Sequence, residues 1–253
     1  MGKCAMRSLA TCFLFASCLL PVTCNAIDSN QKLIHNFRQK HLNYDHDHKN
    51  DIDKKIDNKQ WVKNELILMS ELDQQVRDVN IKVSQRCQRN IESCASDLKD
   101  ADALMIEVDT HNLQILKTLM HKYPWFKISE FGKDGADAAW LLVQHADDLD
   151  LQIKVLFIMD YLAKTGEADL QNYALLYDRT SLSYQDFGIK QRYGSQFRLS
   201  DDRQKAILEP YEGSLAEVDA RRKAFGMESM AENAKRIAEV YHVQEIVGLD
   251  TEI

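Results

Sequence analysis

Three short strings of polar residues lie inside otherwise apolar helical sequence between residues 132 and 197. They are Trp140, Gln144, His145 and Asp147; then Tyr177, Asp178 and Arg179; then Gln191, Tyr193, Gly194 and Gln196. Unpaired buried polar groups are costly, so residues of this kind either form a satisfied internal network or line a site. His145 closes the most apolar helical stretch and is followed by Asp147 and Asp148, which predicts an imidazole at a helix C-terminus beside carboxylates. There it suits a general acid or base, with Asp109 or Asp178 to orient it; a core histidine holding a loop carbonyl is the competing reading. Asp178 and Arg179 are adjacent, so on a helix they point about 100° apart and do not both face one ligand squarely. Arg179 suits clamping a carboxylate or phosphate, and Asp178 suits orienting His145 or Arg77 across helices; a buried interhelical ion pair explains them equally well. Gln191, Tyr193 and Gln196 fall in a glycine-containing loop, where amides and a phenol read a polar substrate by hydrogen bonds or pack on the helices.

Other chemistries lack their patterns. There is no Cys-x-x-Cys, His-Glu-x-x-His, Gly-x-Ser-x-Gly or glycine-rich phosphate loop. A metal set can be drawn from His145, Asp147, Asp109 and His111, but no spacing enforces it, so no metal site and no cofactor are expected. The alternation Asp45-His46-Asp47-His48 suits loose metal binding or, better, a solvated tether.

The elements that must position these residues read as helices. From Trp61 onward, Leu68, Leu72, Val76 and Val79 recur at spacings of four, four and three. Asp73 and Arg77 form an i, i+4 pair on this helix, read as a surface ion pair worth a few tenths of a kcal/mol. A second helix over 98–122 buries Ala101, Met105, Val108, Leu116 and Leu119. Asn112 falls on that face with Asp109 one turn before it, so Asn112 is a candidate ligand contact. Pro124 ends this helix, and after Gly132 and Gly135 the stretch 136–143 is apolar nearly all round. Helices over 155–162, 169–179, 218–225 and 227–243 complete a single all-α domain from about 60 to 243, with an irregular glycine-containing loop near the pocket and a tail over 244–253.

Ahead of this domain, residues 27–59 are polar and charge-dense, which predicts a flexible linker with one weak helix. Residues 1–26 have the layout of a secretory signal: Lys3 and Arg7, an apolar run over 9–20, Pro21, and Ala26 at the cleavage point. The expected location is therefore periplasmic or secreted, with no membrane anchor once the signal is removed. Losing Lys3 and Arg7 moves the formal charge from −7 to −9, which excludes an ordinary nucleic-acid binder. Of six cysteines, only Cys87 and Cys94 lie outside that segment. On one continuous helix their Cα atoms would stand about 10 Å apart, too far for a disulfide. A helix break with a local disulfide is expected, because residues 85–96 lack an apolar period.

Taken together, several ordered strings resemble an uncharacterised bacterial family, a domain of unknown function. They are Asp73-x-x-x-Arg77, Val108-Asp109-x-x-Asn112, the run from Gly135 through Ala138-Ala139-Trp140 to Gln144-His145-Ala146-Asp147, Asp178-Arg179, Gln191-x-Tyr193-Gly194-x-Gln196, and Val218-Asp219-x-Arg221-Arg222. The resemblance covers about 61–241. Tyr123-Pro124-Trp125 replaces a usual Gly-Trp-Pro order, Ser195 stands for a usual Thr, and the segment carrying Cys87 and Cys94 looks like an insertion. The resemblance implies a shared polar constellation and names no reaction. Two functions follow as expectations: an exported hydrolase-like enzyme acting on a polar or anionic small molecule or envelope fragment, or a noncatalytic ligand-binding or protein-interaction module in which the polar cluster is partly structural.

Overall fold

The structure is a computed structural model that describes residues 22–48, 51–88 and 91–249. Most of the expected signal segment lies outside these residues. Helices dominate: α1 (Val22–His48), α2 (Ile52–Lys55), α3 (Lys59–Cys87), α4 (Ala95–Lys122), α5 (Ile128–His145), α6 (Leu149–Lys164), α7 (Leu170–Ser181), α8 (Leu215–Ala224) and α9 (Met230–Tyr241). A small sheet joins β1 (Phe197–Leu199), β2 (Lys205–Leu208) and β3 (Glu245–Val247), with β1 antiparallel and β3 parallel to the central β2. The chain is a predominantly α single domain.

Local chemistry sets the helix starts. Asn58, Asp148 and Asp169 each accept a hydrogen bond from a first-turn backbone N–H, and Ser214 with Glu217 and Ser229 with Glu232 form reciprocal capping boxes on α8 and α9. The end of α5 is fixed differently. The buried Gln152 side chain on α6 donates to the carbonyls of Val143 and Ala146 at 3.2 and 2.9 Å, satisfying helix-end acceptors on either side of His145.

α3 is the axis of the molecule. It packs along both α4 and α5, burying Leu66, Met69, Leu72, Val76 and Val83 against Leu104, Val108, Leu116, Ala139 and Val143. A second, smaller core of Ala206, Leu208, Val218, Met230 and Ile237 lies between the sheet and α8–α9.

Two segments differ from the sequence expectation. The region read as a flexible linker is largely α1, whose Ile34, Phe37 and Tyr44 are buried in the main core against α3 and α4. Its apolar residues are few but recur at helical spacing, and its polar residues find partners: Asn30 and Gln31 donate to Asp97 at 3.0 and 2.6 Å. The C-terminal tail supplies β3, which pairs along β2.

α3 ends at Cys87, and a short 3-10 turn, Glu92–Cys94, precedes α4. This break brings the two Cα atoms to 5.7 Å, and the sulfurs are bonded. Replacing both cysteines by Ala is expected to cost about 2–3 kcal/mol, the loop-closure entropy of so short a ring. Urea denaturation of the oxidised protein and the double variant measures it, and coincident midpoints would refute it.

Candidate functional site

Where α3, α4 and α5 meet, four ionisable residues come together. Asp73 on α3 is 1% exposed and accepts from Arg77 one turn on, at 2.8 Å. Arg77 continues across the helix interface with a two-pronged grip on Asp109 of α4, at 3.0 and 2.9 Å. On the other side, Nδ1 of His145 stands 2.9 and 3.1 Å from the two Asp73 oxygens, and Gln74 donates to one of them at 2.9 Å. Asp73 therefore carries three side-chain partners, two cationic or polar groups from its own helix and one ring from α5.

The pairing read as a surface contact is thus a buried bridge. Spacing along α3 put Asp73 and Arg77 together but could not reveal that Asp73 is enclosed and that His145 lies against it. A signal was present: Leu72, Val76 and Val79 define the buried face, and Asp73 sits directly beside it.

The electrostatics follow from this geometry. Burial pushes the Asp73 carboxyl up, but the His145 hydrogen bond and the charges of His145 and Arg77 outweigh it and hold Asp73 below the ordinary aspartate value. Asp109 goes the other way: burial raises it in spite of the Arg77 fork, and the Asp73 charge adds to the rise. An ionised Asp73 can only accept, so Nδ1 of His145 carries the proton it donates. The lone pair of the neutral ring is then on Nε2, which makes no hydrogen bond with the described residues, while the side chain keeps 23% exposure.

Around this centre several polar atoms have no partner among the described residues: both amide atoms of Asn112, Nε1 of Trp140 and Oε1 of Gln144. Asn112 lies one turn after Asp109 on α4, and Trp140 one turn before Gln144 on α5. Each such buried atom costs on the order of 1–3 kcal/mol. They lie on the two helices that carry Asp109 and His145, but none of them lines the cleft that opens beside His145.

Beside His145 the surface opens into a cleft of about 250 Å³, lined by Ala146, Asp147, Asp148, Gln152, Arg179 and Ser183 among others. Arg179 is exposed there, and its guanidinium forms no hydrogen bond or ion pair among the described residues. Its charged neighbours are Arg77, Asp109 and Asp147.

The remaining candidates are placed elsewhere. Asp178 is fully buried and does not orient His145 or Arg77. Its oxygens accept the backbone N–H groups of Arg192, Tyr193 and Ser195 at 2.8, 3.0 and 2.9 Å. Burial raises its carboxyl above the usual value against the pull of these donors. Gln191, also buried, donates to the carbonyls of Glu209 and Gln196 and accepts from the Gln196 N–H, while Gln196 donates to the Ser195 hydroxyl. Tyr193 packs its ring on Phe225 with centroids 5.0 Å apart, and its carbonyl takes a 2.7 Å bond from the buried Arg222. Gly194 adopts φ 60°, the left-handed region that favours glycine, and lies against the tip of the Met230 side chain. Loop residues 191–196 are therefore a clamp joining α7 to the β/α9 lobe, and none of them lines the cleft. His111, drawn into a metal set with His145, instead faces α1.

The strings of the 132–197 segment thus divide into two constellations. Asp73, Arg77, Asp109 and His145 form a bonded cluster with Arg179 at the adjoining cleft, while Asp178, Gln191, Tyr193, Asp219 and Arg222 hold the loop, Asp219 by accepting the Met230 N–H at 2.7 Å. A family model described as a family of unknown function, DUF6624, matches residues 60–245, and both constellations fall within that span. No curated protein and no solved structure matches the chain.

Proposed function

For a chain that belongs to DUF6624, a family of unknown function, we propose a hydrolytic site centred on His145 and acting on a polar or anionic small molecule or envelope fragment outside the cytoplasm. The observation that carries it is the Asp73–His145 pair: a buried carboxylate fixes one ring nitrogen and leaves the other without a partner on a partly exposed ring, next in the chain to Ala146, which lines an open cleft. That is the arrangement a general base needs, because the carboxylate sets the tautomer and stabilises the imidazolium formed on proton uptake.

Each neighbour has a role that its geometry allows. Arg77 ties Asp73 to Asp109 and keeps the pair from moving. No serine, threonine or cysteine hydrogen-bonds to His145 among the described residues, so the nucleophile is a water activated at Nε2. Arg179, with its free guanidinium at the cleft, holds an anionic group of the substrate. The signal-like layout of residues 1–26 supports the location.

A noncatalytic ligand-binding module using the same cleft is the second reading. It needs only the cleft and the free Arg179 guanidinium. A panel of chromogenic esters, phosphoesters, amides and glycosides, run with a thermal-shift screen of anionic metabolites and cell-wall fragments, separates the two. Turnover lost in His145→Ala supports the enzyme. Ligand-induced stabilisation without turnover supports the module. Ligand effects that ignore both His145→Ala and Arg179→Ala would refute both.

Arg179→Ala itself gives a clear expectation. With no partner to lose, its stability should stay within about 0.5 kcal/mol of the parent, while affinity for an anionic ligand falls on the order of 10- to 100-fold. Calorimetric titration against the ligand found in the screen measures it.

A further inference from the structure

α1 carries His41, Tyr44, Asp45 and His48 on one face, at i, i+3, i+4 and i+7. His41 is 4% exposed, and neither of its ring nitrogens has a partner. His111 of α4 meets it edge-on, with ring centroids 5.1 Å apart. Nε2 of His111 is held by Asp45 at 2.9 Å, and its Nδ1 is buried without a partner. Two touching imidazoles thus leave three buried nitrogens unsatisfied, a concentration that calls for an occupant.

The pattern of these bonds indicates which occupant. The Asp45 carboxylate, 2.9 Å from Nε2 of His111, favours the proton on that nitrogen and so leaves a lone pair on Nδ1. A histidine that gives one N–H to a carboxylate and presents the other nitrogen bare is the usual state of a metal-ligating ring. His48 repeats it, with Nδ1 at 2.8 Å from Glu65. It lines a cleft of about 300 Å³ together with Asp45, His111, Gln114 and Thr118, so water reaches the His111 side of the pair while His41 lies behind it. Two rings bound to one tetrahedral ion at a metal–nitrogen distance of about 2.0–2.1 Å have centres about 5 Å apart, the spacing of His41 and His111.

We propose that His41 and His111 bind one divalent transition-metal ion of the zinc, nickel or copper class, with Asp45 orienting His111 and water from the cleft completing the sphere. Imidazole donors without thiolates suit these metals better than magnesium or calcium. Among the described residues, the three-donor group close enough to share an ion is Cys87, Cys94 and Asp97, and those cysteines are bonded to each other. The His41 site is therefore a two-histidine site of moderate affinity. Its consequence is structural: His41 and Asp45 precede the family-matched residues 60–245 and His111 lies inside them, so the ion would pin α1 to the domain.

The test is a titration of the full, disulfide-intact, chelator-treated chain with Ni2+ and Zn2+ by calorimetry. One saturable site is expected. Asp45→Asn should weaken it about 10- to 100-fold, the usual effect of removing a carboxylate that supports a metal ligand, and His41→Leu should weaken it further. His41 makes no hydrogen bond, so His41→Leu strands no polar partner and replaces its ring contacts with Tyr44 and His111 by apolar packing. His145→Asn and the exposed His46→Asn should change nothing, which separates this site from the Asp73–His145 pair and from surface histidines. As a measurement that needs no variant, metal should slow hydrogen exchange in residues 41–48 and 108–114. Absence of a saturable site, unchanged affinity in His41→Leu, loss in His145→Asn, or protection confined to other segments would each overturn the proposal.

Discussion

Replacing Asp178 by Ala is expected to destabilise the protein by about 3–5 kcal/mol, the range seen when a buried charged acceptor is removed and its partners are stranded. The carboxylate takes three backbone N–H groups from one loop, and Arg192, Tyr193 and Ser195 have no alternative acceptor once it is gone. Each stranded amide costs about 1–3 kcal/mol, and part of this is recovered as the loop shifts toward water. Asp178→Asn should fall between parent and Ala, because an amide keeps one acceptor oxygen but turns its NH2 toward at least one donor. Urea midpoints give the magnitude, and hydrogen exchange should place the loosening in residues 191–196. A loss below about 1 kcal/mol, the worth of one ordinary hydrogen bond, would mean that the loop is held by Gln191 and Arg222 instead.

The second large effect concerns chemistry. His145→Ala should lower turnover by about 10²- to 10⁴-fold, the usual worth of a positioned general base. Its effect on stability should be far smaller, because Asp73 keeps its bonds from Arg77 and Gln74 and is not left as an unpaired buried charge. Asp73→Asn should cost turnover on a similar scale for a different reason. An amide that offers its NH2 to Nδ1 favours the tautomer protonated on Nε2, and the lone pair then points away from the substrate. Kinetics on the substrate from the screen, with urea denaturation on the same samples, test both. Retained turnover in His145→Ala, or a stability loss in that variant as large as in Asp178→Ala, would place His145 in the architecture.

These two expectations concern residues that looked alike in the sequence. Asp178 and His145 are both polar residues on apolar helices, thirty-three positions apart within the same segment. In the structure Asp178 faces a loop whose amides consume its oxygens, while His145 keeps one nitrogen without a partner. Arg179 shows how fine the division is: one residue along α7 from Asp178, it faces the cleft side, because adjacent helical residues diverge by about 100°.

Much of the fold was legible because its causes are local. Apolar residues at helical spacing marked α3 and α4, Pro124 marked the end of α4, and the lack of an apolar period around residues 85–96 marked the break between Cys87 and Cys94. α1 was misread because mean polarity hid its stripe of Ile34, Phe37, His41 and Tyr44. A polar residue carries no sign of whether a partner on another helix will take it up. β3 was missed because a three-residue strand has too few positions to show a period.

The sequence alone therefore determined the helical class, the presence and rough order of the helices, the ordered family strings and the short list of polar residues able to do chemistry. Only the tertiary structure decided which of them meet. Periodicity and capping act over three or four residues, so they are written in order along the chain. The bonds that define the two constellations, Asp73 with His145 and Arg77 with Asp109, span 72 and 32 positions, and Asp178 reaches Ser195 across 17. Contacts of that separation are set by how α3, α4, α5 and α7 pack, and a side chain's role as base, clamp or anion anchor follows from the partner that packing delivers.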